Sequence, residues 1–173
     1  MNIQKIMKQA QDAQNKIAEM LSGAGLNEIL TNSVSQSQFE PNENIKKQTV
    51  MLLNSQTAEL DSLRSSILYT GLEVIAHNQN RKHADLRFFE FGSTYHINQG
   101  IYSQQKHLCL WLTGKTFEDS WTGKSEKYNF YHLKNLVELV LHKMGHQHFE
   151  TEISEANPFT FSLSHSSTTR NIW

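Results

Sequence analysis

The chain has 173 residues, enough for one domain with a buried core but a tight fit for two. Hydrophobic residues make up 38% of it and charged residues 19%, which indicates a globular protein, and the net charge of −1 lacks the positive excess of a typical nucleic-acid-binding domain. No stretch approaches the roughly 18 apolar residues that span a bilayer, and the N-terminus lacks the apolar segment of a signal peptide. We therefore expect a cytoplasmic protein with no membrane contact.

The single cysteine agrees with that compartment. Cys109 lies in the apolar run HLCLWL, where a buried, reduced thiol is commoner than a nucleophile. One cysteine cannot form a disulfide within the chain, so a reducing environment fits.

The first 25 residues have the pattern of an amphipathic helix. Apolar side chains recur at alternating spacings of three and four, which line one side of a helix. Gly23 and Gly25 follow as a stop signal. This stripe suits a helix on its own domain's sheet as well as a helix between subunits, because three heptads are marginal evidence for a coiled coil. Its residues are Ile3, Ile6, Ala10, Ala13, Ile17 and Met20.

The next segments alternate between apolar runs and polar connections. The pattern predicts a strand at residues 26–35 and a polar surface loop at residues 35–48. It also predicts a short buried strand at residues 50–53. Asp61 is predicted to cap a helix that runs through residues 63–81. Gly71 inside this helix indicates close packing against another element.

The second half predicts mostly strands. Residues 85–95, DLRFFEFGSTY, form a strand stopped by Gly92, and residues 106–114 form a central strand that ends at Gly114. A polar loop then leads to a helix over residues 129–145, and two strands follow at 148–153 and 159–164. Since the order shows no repeated βαβ spacing, we expect one domain over residues 1–173: an α+β fold with an antiparallel sheet flanked by helices.

An arginine and a glutamate in the strand DLRFFEFGSTY suggest a site for a charged substrate. Side chains alternate faces along a strand, so Arg87 points with Phe89 and Phe91, while Glu90 points with Leu86 and Phe88. Arg87 and Glu90 therefore cannot hold one ligand together. Arg87 alone is a candidate phosphate ligand, although a solvated or ion-paired strand arginine is the commoner outcome.

Other patterns of chemistry are missing from the sequence. The eight glycines form neither a phosphate loop nor a GxGxxG run, and no serine lies in a GxSxG elbow. His142, His146 and His148 are close in sequence, but Gly145 interrupts the helical alignment that paired metal ligands need. Trp111 and Trp121 are expected to pack rather than to stack on bases. The residues alone therefore predict no catalytic, cofactor-binding or metal-binding residue.

Three blocks of sequence resemble a known family. They are residues 52–95, with LRSS before a helix that ends NQNR and a strand that ends FEFG; HLCLWLTG followed by Trp121; and YNFYHLKNLVELVLHKMG. Together with GAGLNEILTNSVS they are similar to the β subunit of bacterial phenylalanyl-tRNA synthetase, in its class II-like region without an active site. The resemblance covers most of residues 1–148. Departures from the family's pattern are Ser55 in place of proline, and Asn129, His132 and Asn135 in place of Asp, Asp and Gly.

The resemblance implies an incomplete class II synthetase core, cut from a longer β subunit, that supports a catalytic α subunit in a heterotetramer. The whole enzyme would join phenylalanine to its tRNA with ATP and magnesium, whereas this fragment would bind no cofactor of its own and carry no catalytic residue. The helical stripe Ile3, Ile6, Ala10, Ala13, Ile17 and Met20 would then make intersubunit contacts. Two alternatives stay open: a free-standing helix-mediated dimerisation module, and an active small ATP-dependent ligase that uses Arg87.

Overall fold

A computed structural model describes residues 3–40, 43–55, 57, 59–121, 123–146, 150–153 and 163–166 of the chain. Proximity of Cα atoms divides the chain into two compact units. The larger unit is Ala18–Leu133, and the smaller one combines the residues up to Ile17 with those from Lys134 onward. Within the described residues, no helix is both long and apolar enough to cross a membrane.

The described residues form four helices and seven strands, with a 3₁₀ turn at Ser37–Phe39. The helices are α1 (Ile3–Gly23), α2 (Glu43–Lys46), α3 (Ile67–Gln79) and α4 (Phe130–Lys143). The strands are β1 (Asn27–Glu28), β2 (Val34–Ser35), β3 (Ser62–Leu63), β4 (Leu86–Asn98), β5 (Ile101–Thr113), β6 (Glu150–Ile153) and β7 (Leu163–Ser166).

The main sheet has the order β1-β4-β5. β4 and β5 form a long antiparallel hairpin, in register from Leu86 opposite Thr113 to Asn98 opposite Ile101. The connecting Gln99–Gly100 turn has φ angles of 49° and 82°, as a tight hairpin turn requires. β1 pairs in parallel with β4, so the sheet is mixed, and the predicted α+β class is confirmed.

The core of the larger unit lies where α3 covers this sheet. Ile67, Leu86, Phe88 and Trp111 form one buried cluster. A Cβ atom at Gly71 would overlap the indole ring of Trp111, so only glycine lets the ring lie this close to the helix. The predicted close packing at Gly71 is confirmed.

The start of α3 corrects the prediction for Asp61. The helix begins at Ile67, and Ser66 is its N-cap, with its hydroxyl accepting a hydrogen bond from the Leu68 amide at 3.2 Å. Asp61 instead accepts hydrogen bonds from the Ser37 amide and hydroxyl, both at 2.7 Å. Partial burial alone would raise the pKa of Asp61, but its hydrogen bonds, chiefly those from Ser37 and also that from Ser62, together outweigh burial and lower the pKa. The aspartate therefore joins two loops rather than capping a helix.

Three further predictions for this region differ from the structure. Residues 50–53 are not a buried strand: Met51 forms an isolated bridge with Ser62, and the side chains of Met51 and Leu53 are exposed. The predicted loop at 35–48 contains the 3₁₀ turn and α2. Residues 26–35 form two strands, β1 and β2, rather than one. Each of these outcomes depends on the neighbours that a short segment meets, which local pattern does not reveal.

The hairpin also differs from its prediction. β4 does not stop at Gly92 but continues to Asn98, and β5 begins at Ile101 rather than near residue 106. In the described sheet β4, not β5, is the central strand. The turn at Gly114, with φ of 79°, ends β5 as predicted.

The glycines predicted at the C-terminal ends of α1 and α4 are confirmed. Gly25 follows α1 with φ of 85°, and Gly145 follows α4 with φ of 93°, so both use the left-handed conformation that favours glycine. Beyond α4, β6 and β7 pair antiparallel. β6 lies within the predicted strand at 148–153, and β7 overlaps the end of the one at 159–164; residues 148–149 and 159–162 lie outside the described part.

Candidate functional site

The two faces of β4 place their charges apart. Glu90 is fully buried on the face that carries Leu86 and Phe88 and is covered by α3. Arg87 lies on the other face, with its guanidinium carbon 6.0 Å from the centre of the Tyr128 ring. The separation predicted for Arg87 and Glu90 is confirmed by these contacts.

Glu90 has a cationic partner that the strand pattern did not indicate. The Nη1 of Arg64, in the segment between β3 and α3, lies 3.0 Å from the Glu90 Oε1. Both side chains are buried, with 3% of Arg64 and none of Glu90 exposed to solvent. Because an unpaired charge is costly at such a depth, each residue requires the other.

Two threonines complete the hydrogen bonding of this pair. The Thr31 hydroxyl lies 2.8 Å from the Glu90 Oε2 and accepts a hydrogen bond from the Arg64 Nη1 at 2.6 Å. The Thr31 amide donates to the Glu90 Oε1 at 3.3 Å. Thr70 of α3 donates its hydroxyl to the Ile67 carbonyl and lies 3.0 Å from the Thr31 hydroxyl. We call Thr31, Arg64, Thr70 and Glu90 the buried polar network.

The backbone of β4 holds the arginine in place. The Arg64 Nε donates to the Ser93 carbonyl at 2.9 Å, and the Arg64 carbonyl accepts from the Tyr95 amide at 3.0 Å. A Cβ at Gly92 would overlap the Arg64 Nη2 and lie 2.6 Å from the Ile67 Cδ1. Gly92 therefore makes the room that the guanidinium occupies, rather than ending the strand.

Most hydrogen bonds of the buried polar network stay within it. Both carboxylate oxygens of Glu90 are engaged by Arg64 and Thr31, and the Nε and Nη1 of Arg64 donate to protein oxygens. A catalytic or binding pair needs free valences directed at a ligand, whereas these groups are directed at each other. The network thus joins the segments that carry Thr31, Arg64 and Thr70 to strand β4.

An open cleft lies beside the network. Its volume is about 730 Å³, which falls in the usual range of ligand sites. One wall is a face of α3 formed by Thr70, Glu73, Val74 and His77, at the spacing of one helical side. The opposite wall is the segment from Leu30 to Phe39, and Glu59 and Leu60 complete the lining.

Cys109 lies opposite Glu90 across the β4 and β5 ladder. Burial raises the pKa of the Cys109 thiol to about 11. The side chain is partly rather than fully buried, and a thiol with a raised pKa stays protonated at neutral pH.

The stripe predicted on α1 divides into two parts. Ile3, Ile6, Ala10 and Ala13 are exposed to solvent, with 72% of Ile3 and 43% of Ile6 accessible. Ile17 is buried and Met20 is half-buried. The N-terminal half of the helix therefore presents an uncovered apolar side, whereas Ile17 contributes to a core.

The other candidate residues have different surroundings. Trp111 is buried as predicted, but its Nε1 has no hydrogen-bond partner among the residues that the structure describes, and Trp121 is 97% exposed rather than packed. Among the described residues, no three His, Cys, Asp or Glu side chains gather as a metal site would require. His148 of the predicted cluster lies outside the described residues.

Sequence reasoning missed Arg64, Thr31 and Thr70. One signal was available: a glutamate on the apolar face of a strand needs a buried cation. This signal does not identify which arginine pairs with Glu90, because Arg64 and Glu90 are 26 positions apart and meet only in the folded chain.

The fold defines the class of protein. The structure is similar to pyrrolysyl-tRNA synthetase from Desulfitobacterium hafniense, with a TM-score of 0.67 and 18% identity over 92% of this chain and 55% of that one. It is also similar to an ATP phosphoribosyltransferase regulatory subunit/histidyl-tRNA synthetase from Bacillus halodurans C, with a TM-score of 0.64 and 16% identity over 86% of this chain and 37% of that one. These likenesses establish a fold of the class II aminoacyl-tRNA synthetase kind.

The family follows from sequence. Residues 2–165 match the model of the phenylalanyl tRNA synthetase beta chain CLM domain. The chain is 42% identical over 147 residues to the phenylalanine–tRNA ligase beta subunit of Bacteroides fragilis, covering 76% of this chain and 17% of the relative. The Staphylococcus aureus beta subunit is 34% identical over 132 residues, covering 75% of this chain and 16% of the relative. The chain belongs to the phenylalanyl-tRNA synthetase beta chain CLM domain family, and it spans about 17% of the length of these curated relatives.

Proposed function

We propose that this chain is an assembly domain of a phenylalanine–tRNA ligase β subunit and has no catalytic residue of its own. Residues 1–173 act as one class II-like domain of a longer polypeptide. The domain supports a catalytic α subunit in a heterotetramer, in the cytoplasm. The whole enzyme uses ATP, magnesium and tRNA. This domain itself binds neither ATP nor magnesium.

The observation that carries the proposal is the exposed apolar side of α1. Ile3 and Ile6 leave large apolar side chains in solvent, with Ala10 and Ala13 continuing the same side of the helix. Such a surface favours burial against a partner, because apolar area gains free energy when it leaves water. The predicted contacts at Ile17 and Met20 belong to the same proposal, although Ile17 is buried within this chain.

The buried polar network supports the absence of catalysis. In an active site, a buried arginine or glutamate keeps a direction open toward substrate. Arg64 and Glu90 instead bind each other and Thr31. Arg87 is half-buried beside Tyr128 and has no carboxylate partner on its own face of the strand.

Co-purification tests the assembly role. We expect a tagged version of the chain to retain the α subunit from the lysate of its host, and Ile3→Asp with Ile6→Asp to abolish that retention. The control is Gln11→Asp with Asn15→Asp, which adds the same charge to the exposed helix at polar positions outside the stripe. Retention by the Ile3→Asp and Ile6→Asp variant would contradict the proposed interface. Dimerisation without α, seen by sedimentation, would favour the helix-mediated dimer.

Calorimetry tests the absence of catalysis. We expect no heat of binding when millimolar ATP and magnesium are added to the chain. Heat that disappears in Arg87→Ala would instead identify the small ATP-dependent ligase.

A further inference from the structure

The cleft beside α3 has the lining of a protein-docking site. Leucines lie at its edge: 90% of Leu30 and 42% of Leu60 are exposed. A small molecule inside about 730 Å³ would leave most of that edge in water. A protein segment that enters the cleft and also covers its edge would bury both leucines, which is the favourable outcome for apolar surface.

Charge restricts the chemistry of that segment. The cleft is lined by the carboxylates of Glu59 and Glu73, while none of the lysines and arginines in the described residues lines it. Within the described part of the chain, neither glutamate has an ion-pair or hydrogen-bond partner for its side chain. The lining therefore favours a segment with an apolar side chain next to lysine or arginine.

We propose that this cleft docks such a cationic, apolar segment from the part of the β subunit that lies outside these residues. This inference rests on the proposed function, because it requires that the chain be a domain of a β subunit. The curated relatives extend far beyond the matched region, which is only 17% of their length, so most of the subunit is available to supply the segment. The exposed side of α1 shares no residue with the cleft lining and is left for the α subunit.

Photo-crosslinking identifies the occupant. Leu30→p-benzoylphenylalanine is introduced into the chain, the assembly is purified from its host through a tag on this chain, and the crosslinked peptide is sequenced by mass spectrometry. We expect a β-subunit peptide from outside residues 1–173 that carries lysine or arginine beside an apolar residue. Ile101→p-benzoylphenylalanine, at another exposed apolar position at the start of β5, is the matched control and should not capture that peptide.

Charge reversal tests the complementarity. Glu59→Lys with Glu73→Lys should lower the crosslink yield about tenfold, since like charges at an interface repel. Glu59→Gln with Glu73→Gln should lower it less, and this milder variant serves if the double lysine variant fails to fold. Capture of the α subunit, of a second copy, or of nothing beyond the Ile101 control overturns the proposal, as does a yield that is insensitive to both double variants.

The two proposals fail separately. Co-purification with the α subunit tests the assembly role through Ile3 and Ile6, whereas the crosslink reports on the cleft. If the α subunit is retained and the crosslink is absent, the docking inference alone is wrong. If the chain retains no α subunit, the proposed function is wrong, whatever Leu30 captures.

Discussion

Two ion pairs of this molecule have similar chemistry and opposite surroundings. Arg64 and Glu90 are buried and are held by Thr31 and the β4 backbone. Lys115 and Asp119 lie four residues apart in the exposed segment between β5 and α4, with 42% and 51% of their side chains accessible. The hydrogen bond from Lys115, together with those from Ser125, holds the pKa of Asp119 well below its ordinary value.

The contrast shows that burial, not the distance between charges, sets the dependence on a partner. Water can replace Lys115 around Asp119, so the exposed pair is dispensable. Water cannot reach Glu90, so loss of Arg64 would leave an uncompensated charge inside the protein. The Lys115 Nζ–Asp119 Oδ2 distance is 2.5 Å and the Arg64 Nη1–Glu90 Oε1 distance is 3.0 Å, so the shorter ion pair is the one that matters less for stability.

The largest expected effect comes from breaking the buried pair. Arg64→Met leaves Glu90 without its cation and should lower the free energy of unfolding by about 3–5 kcal/mol, measured by urea denaturation. The double variant Arg64→Met with Glu90→Leu should be more stable than Arg64→Met alone, because it removes both charges. A loss below about 1 kcal/mol in Arg64→Met would mean that this pair behaves like a surface pair.

A smaller loss of stability is expected when a substitution at Gly92 displaces the Arg64 guanidinium. The added methyl group in Gly92→Ala would overlap Arg64 and crowd Ile67, which should cost about 1–3 kcal/mol in urea denaturation. Gly23→Ala is the control, since a Cβ there meets no atom within 4 Å. Equal stability of both variants would show that Arg64 moves freely.

Ionisation of the Cys109 thiol should change the free energy of unfolding with pH, by as much as Gly92→Ala or less. Burial raises the pKa of Cys109 from 9.0 to about 11, so between these values the unfolded chain loses the proton and the folded chain keeps it. Ionisation therefore favours unfolding, and stability should fall as pH rises from 9 to 11, on the order of 2 kcal/mol in total. Cys109→Ala should lack this component; an identical pH profile of the two proteins would contradict it.

The smallest effect is expected at the exposed pair. Asp119→Asn should change the urea midpoint little, and the change should vanish at 1 M salt, where exposed charges are screened. Lys115→Met provides the reciprocal measurement. A loss as large as that of Arg64→Met would mean that the loop is much less hydrated than its exposure indicates.

Sequence predicted the long, regular elements and missed the short ones. Periodicity over many residues identified α1 and α4, and a glycine marked the C-terminal end of each helix. β2 and β3 have two residues each, too few for a periodic signal, and the predicted strand at 50–53 is an exposed loop with one bridge. Asp61 and Ser66 are both good capping residues, and their different partners decided which one starts α3.

The alternation of side chains along β4 was enough to separate Arg87 from Glu90, because the two-residue period is a property of the extended backbone itself. The exposed half of the α1 stripe was likewise visible as a pattern, although only the structure distinguishes exposed Ile6 from buried Ile17. The cleft beside α3 had no sequence signal, since its walls come from three separate segments.

The sequence by itself thus determined the class of fold, the family and the opposite directions of the two strand charges, all of which depend on local order along the chain. The tertiary structure alone decided that Arg64 neutralises Glu90, that Gly92 makes room for it, and that Glu59 and Glu73 share a cleft. Those facts are contacts between residues distant in sequence. Burial and charge pairing arise only when such residues meet.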